Sequence, residues 1–183
     1  MAGIWLTDPG RRAAVEIALN LIPFSGIAFL WFIGVIRNRV GQREDGFFAT
    51  VFLGSGLLFV AMLFVAAAVS GGLFAAASRP SGSPGQDTLA LGRDVTGLLV
   101  NVYSMRMAAV FTLTTVTIAR RTEIVSRWLT VAGTAAALVL LIGVGFSAWV
   151  ELLFPAWILA LSIDILATRP KVSRDSTGTA PQS

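Results

Sequence analysis

The sequence predicts an all-α membrane protein, a bundle of five transmembrane helices. Three observations predict it. Only 13% of the 183 residues are charged, against about a quarter in a soluble domain, while 55% are hydrophobic and the mean hydropathy is +0.78. The apolar residues fall into runs too long for a globular core. The basic residues sit between those runs, as topology determinants do. A net charge of +4 and a pI near 11.0 would suggest nucleic acid in a soluble chain. Here the placement of the arginines assigns that charge to membrane orientation, and no nucleic-acid partner is expected.

The first twelve residues form a polar lead without the basic start or small-residue cleavage pattern of a secretory signal, so no removal is expected. The first span covers about 13–36. Pro23 lies inside it and predicts a kink, with Ser25 and Gly26 beside it to relieve the backbone. Glu16 and Asn20 share one face near its start, and Arg12 lies four residues from Glu16, within reach of an interfacial ion pair. The charged loop 37–46 leads to a second span at about 47–73, whose Gly54-Ser55-Gly56 and Ser70-Gly71-Gly72 triplets allow close helix contact or fraying. Residues 78–94 carry Pro80 and Pro84 among serines and glycines and read as irregular, with a turn on the bilayer surface at 88–91.

The third span, about 95–119, carries one charge, Arg106. Gly97, Asn101, Ser104, Ala108, Thr112, Thr115 and Ala119 recur at spacings of three and four and form a small or polar stripe along one face. Such a stripe admits a neighbouring helix closely. Arg106 lies about 140° from Asn101 at 100° per residue. Special chemistry on two faces predicts a helix inside the bundle rather than at its edge.

The last apolar region, 128–168, would be roughly 60 Å long as one helix, twice the hydrocarbon thickness. It divides into spans at about 128–146 and 149–168, with Pro155 early in the second, where a missing amide hydrogen costs least. The alternative is four spans with a long last helix. The polar segment 169–183 has no apolar period and reads as a disordered cytoplasmic tail after a single transmembrane domain, 1–168. Charge decides between four spans and five. Five spans place Arg37, Arg39, Arg43, Arg120, Arg121, Arg127, Arg169, Lys171 and Arg174 on one side, against Arg11, Arg12, Arg79 and Arg93 on the other. Four spans leave six facing seven. The positive-inside rule then puts the N-terminus outside and the C-terminus in the cytoplasm. Trp5, Trp149 and Trp157 fall near the outer boundary and Trp128 at the inner one, as an aromatic belt requires.

With no Cys and no His, thiol catalysis, disulfides, Cys/His zinc sites, His-ligated haem and histidine acid–base chemistry are excluded, and no cofactor or metal is expected. The candidate site is an intramembrane polar cluster of Glu16, Asn20, Asn101, Tyr103, Arg106 and Glu151. An arginine in the hydrocarbon needs a partner, a water cavity or a route to the headgroups. Glu16, or else Glu151, is the carboxylate within plausible reach. Snorkelling is the competing reading, because side chains on this helix lean toward its N-terminal end. Asp164, one turn from Arg169, reads as interfacial. Arg37, Arg39, Arg43, Arg120, Arg121 and Arg127 are expected to meet anionic headgroups of the lipid bilayer. No phosphate-binding loop, nucleophile elbow, metalloprotease pattern or internal repeat is present.

The segment LNLIPFSGIAFLWFIGVIRNRVGQREDGFFATVFLGSGLLFVAMLF, Leu19 to Phe64, resembles a stretch of uncharacterised bacterial multi-spanning membrane proteins. That resemblance implies a bacterial cytoplasmic (inner) membrane location and no activity; the arginine-rich, lysine-poor composition agrees. The expected function is a non-enzymatic accessory, assembly or oligomeric membrane subunit, held to itself or to a partner protein by small-residue faces. The alternatives are a small transporter or channel with a polar pocket, and then a lipid-acting membrane enzyme.

Overall fold

Helices form where the apolar runs lie, and the computed structural model describes residues 9–40, 46–78, 84–122, 126–143 and 148–167. Every regular element among them is helical. We number five helices. α1 is Pro9–Val40 and α2 is Gly46–Ala77. The third, α3, joins Gln86–Gly97 to Met105–Thr122 through a π-helical segment, Leu98–Ser104. α4 is Arg127–Ile142, and α5 is Leu153–Ala167, entered through a 3₁₀ turn at Ala148–Leu152. Four of the five, all but α4, are long and apolar enough to cross a membrane. α4 has 16 residues, about 24 Å at 1.5 Å per residue, and ends at Ile142 where the sequence suggested 146. The proposed tail and the loop residue Arg43 lie outside the described residues, as do the side chains of Arg12 and Arg39.

α1 continues through Pro23. The ring removes one backbone donor, and nearby the Ser25 hydroxyl donates to the Leu21 carbonyl at 3.1 Å. Gly26 meets α2 closely: a Cβ there would lie 2.5 Å from the Phe64 ring. In α2 the helix runs unbroken through both glycine-containing triplets. Gly56 admits Ile33 and Phe111, which would stand 2.6 and 3.1 Å from an added Cβ, so this triplet is a contact rather than a break.

The reading of 78–94 as irregular is corrected from Gln86 onward. Nine residues ahead of the expected start, α3 is already helical. Its polar composition hid it, since no apolar period marks a helix that packs only narrowly. The contact is specific: Gly92 accommodates Leu73 of α2, and the Ser70 and Thr96 hydroxyls are 3.3 Å apart. The long end of α2 and the early start of α3 therefore support each other as a hairpin.

α3 is the central helix. About 61% of its apolar window is buried, against 17–33% in the other long helices. Its widest contacts are with α4 and α2. Around its fully buried Phe111, aromatic rings from three other helices converge. Phe52 stacks on it at 4.8 Å between centroids, Phe29 approaches at 5.1 Å and Phe154 edge-on at 6.2 Å. Phe59 joins Phe29 and Phe154 at 5.3 and 4.9 Å. Such offset and edge contacts suit the ring quadrupoles.

α4 is fastened by small residues. Gly133 faces both Trp157 of α5 and Val116 of α3, and the Trp157 indole N–H donates to the Leu129 carbonyl at 3.3 Å. Trp157 is therefore buried in the bundle and does not belong to an interfacial belt, whereas Trp31, Trp128 and Trp149 are each at least three-quarters exposed. At the start of α4 the Ser126 amide donates to Asp164 at 3.4 Å. Asp164 thus supplies a negative charge to a helix N-terminus, a structural role beyond a surface charge.

Candidate functional site

The small or polar stripe of α3 turns inward: Ser104, Ala108, Thr112, Thr115 and Ala119 are buried, and Gly97 and Asn101 are half-buried. Its hydroxyls do not reach across to other helices. Thr112, Thr114, Thr115 and Thr117 each donate to the carbonyl four residues back, at 2.7–2.8 Å, and Ser104 donates to Val100. The stripe therefore works by being small, with its polar atoms already satisfied. Ser55 and Thr130, the other buried hydroxyl residues, likewise bond their own helices. No buried side-chain polar atom among the described residues lacks a partner.

The structure does not bring the expected polar cluster together. Glu16 is exposed on α1 with Asn20, whose amide donates to the Glu16 carbonyl at 2.9 Å; both line a shallow depression made by α1 alone. Arg106 is exposed on the outer face of α3, near Tyr103, which is also exposed. Glu151 is half-buried and faces elsewhere, into a cleft. Among the described residues no ion pair joins Arg106 to either carboxylate. The 140° offset between Asn101 and Arg106 assumed uniform α-helix. The π segment winds more residues into each turn and brings the two nearer one face. Replacing Arg106 by Leu is expected to leave the fold intact, because it removes a charge costing about 2.5–3.5 kcal/mol at a span's centre and breaks no hydrogen bond or ion pair among the described residues. An unchanged or raised melting midpoint in detergent is the expected reading. Loss of folded protein would mean that the guanidinium holds a partner.

The feature that stands out is the cleft containing Glu151, about 700 Å³ in volume. It lies between α1 and α5, which meet through the edge contact of Phe29 with Phe154 at 5.9 Å and otherwise touch little. α2 and the π segment form its back wall. α5 lends one face, Glu151, Pro155, Ile158 and Ser162, spaced by three and four residues. α1 lends Leu19, Ile22, Gly26 and Phe29 in the same rhythm. From α3 come Thr96, Val100 and Met105. Thr96 and Met105 are nine residues apart and would face about 180° apart in an uninterrupted α-helix. The wider π turns bring them to one side. The segment is thus what turns the central helix toward the cleft, in keeping with the frequent use of π turns at functional sites.

The walls are almost wholly apolar. The exceptions are Ser25, Ser70, Thr96, Glu151 and Ser162. Ser25 and Ser162 donate to their own helices, at Leu21 and Ile158. Ser70 and Thr96 bond each other, and Thr96 also donates to Gly92 at 2.9 Å. Antiparallel connections place the end of α2 and the starts of α1, α3 and α5 at the same end of the bundle. Ser70 and Thr96 lie toward that end of the cleft, while Glu151, three residues before the Phe154 that meets Phe59, lies deeper along the wall. Sequence reading singled out Glu151 but grouped it with Arg106, and it placed Ser70 in a triplet that allows close helix contact or fraying. The rhythm of α5 was the available signal.

The opposite end is basic. Arg37, Arg120, Arg121 and Arg127 lie there, all exposed, with the Arg121 guanidinium 4.7 Å from the centroid of the Phe48 ring. Among the described residues no group of acidic residues could hold a metal ion. The chain matches no protein-family model, no curated protein and no solved structure.

Proposed function

We propose that this protein is a non-enzymatic integral membrane subunit that holds the hydrocarbon part of a membrane-soluble molecule in the cleft between α1 and α5. The cleft itself carries the reading. Its volume falls in the range of small-molecule sites, about 300–1,000 Å³, and its walls are apolar with a few polar groups, as such sites are. The walls are formed chiefly by helices long and apolar enough to cross a membrane, so the medium that meets them is lipid. Accessory or oligomeric assembly is compatible with this role, through the faces that the helices leave exposed. A transporter draws less support, because among the described residues the buried hydroxyls are bonded to their own backbones.

The orientation belongs to the same proposal. The basic end, with Arg37, Arg120, Arg121 and Arg127, faces the cytoplasm of a bacterial inner membrane and its anionic headgroups, and the opposite end faces outward. Filling the cleft tests the binding role. Ala67 is half-buried in the α2 wall, so Ala67→Phe places a ring in the open space. Native mass spectrometry of the purified protein is expected to show one co-purifying lipid-sized adduct, lost in Ala67→Phe while the variant keeps its helical circular dichroism. An adduct retained at wild-type level by the folded variant would refute cleft binding.

A further inference from the structure

Glu151 lines the cleft as its sole charged residue among those described. It is half-buried, and among the described residues its carboxylate has neither a hydrogen bond nor an ion pair. A carboxylate in the wall of an apolar cavity, without a partner, is an electrostatic demand that a ligand can meet. We propose that the molecule held in the cleft carries a primary ammonium head, which Glu151 binds, above a long hydrocarbon chain. This rests on the cleft-binding reading above and adds the chemistry of the head.

Charge complementarity selects the class. An anionic head would be repelled at Glu151, since the cleft wall offers no cation to offset the carboxylate. A neutral alcohol could accept or donate a hydrogen bond but would leave the charge uncompensated. An ammonium supplies both charge and donors, and hydrogen bonds between ionised groups are about twice as strong as neutral ones. Trp149, two residues before Glu151, is 79% exposed, which suits the headgroup level where amphipathic rings collect. From Glu151 to Ser162 the α5 wall then runs about 16 Å along the helix, room for a long chain. The ammonium can come from a simple long-chain amine or from an ethanolamine phospholipid.

The test uses the full-length protein in phosphatidylcholine vesicles. Binding of hexadecylamine, hexadecanol and hexadecanoic acid is compared for wild type, Glu151→Gln and Ala67→Phe, with ethanolamine phospholipid as a fourth probe. Wild type is expected to prefer the amine over the alcohol and the acid by tenfold or more. Glu151→Gln is expected to bring the amine within twofold of the alcohol while hydrocarbon binding persists. Ala67→Phe is expected to abolish binding of all probes. If the ethanolamine phospholipid binds as the amine does, the bilayer itself is the source; if it does not, a free amine is. Equal binding of amine, alcohol and acid by wild type would overturn the ammonium assignment and leave the cleft reading standing. Binding of no probe by wild type would overturn both.

Discussion

Replacing Phe111 by Ala is expected to cost about 3–5 kcal/mol of bundle stability, the largest effect of any single truncation. In a membrane the transfer term largely drops out, because lipid is as apolar as the bundle interior. The cavity remains: at ~24 cal/mol per Å³, the roughly 100 Å³ of lost ring accounts for about 2–3 kcal/mol. The ring also contacts Phe29, Phe52 and Phe154, and these pairs, which share one ring and do not add independently, contribute about 1–2 kcal/mol together beyond packing area. Phe111 is fully buried where α1, α2 and α5 come together, so its neighbours cannot collapse inward without separating other contacts. Mixed-micelle unfolding in sodium dodecyl sulfate measures the loss. Phe24→Ala, at a ring 69% exposed, is the control and is expected to change the midpoint by less than about 0.5 kcal/mol.

The second large effect is steric. A Cβ on Gly133 would lie 2.5 Å from the Trp157 indole nitrogen and 2.6 Å from a Val116 methyl. A leucine there must push α4 away from both α3 and α5. Overpacking costs about 1–3 kcal/mol. The hydrogen bond from Trp157 to Leu129 is lost with the displacement and adds about 1 kcal/mol. Gly133→Leu is therefore expected to lower stability by about 2–4 kcal/mol, with Trp157 moving to a more polar setting and tryptophan emission shifting red. Gly54→Leu is the matching control, because an added Cβ there meets nothing within 4 Å. Equal losses at both glycines would mean that α4 is not held by this contact.

These contacts also show what the sequence could and could not convey. Long apolar runs mark α1, α2 and α5, since hydropathy reports burial in lipid or protein without regard to partner. The stripe of α3 was visible because small residues at helical spacing leave a periodic trace, and they do face the interior. The start of α3 at Gln86 was not visible. Its helix depends on Leu73 fitting over Gly92 and on Ser70 meeting Thr96, pairings between residues far apart in sequence. The π segment has no residue signature, and with it went the facing of Thr96, Val100 and Met105. Arg106 and Glu151 stand out in the sequence as charges within apolar runs, but bringing them together assumed neighbouring faces. Glu151 instead lies beside α1 and α2, in a space left because α1 and α5 meet mainly at one pair of rings. A space between helices is a property of their packing; the rhythm of α5 marks one wall and not the space beside it.

The central claim is that this cleft is occupied by hydrocarbon. Its most direct measurement is quenching of a single tryptophan placed in the cleft wall at Ile158, in a variant whose other tryptophans are phenylalanine, by lipids brominated on the acyl chain. The account predicts strong quenching at Ile158→Trp, abolished when Ala67→Phe fills the space. Quenching that Ala67→Phe leaves unchanged, or its absence at Ile158→Trp in the folded protein, would contradict it.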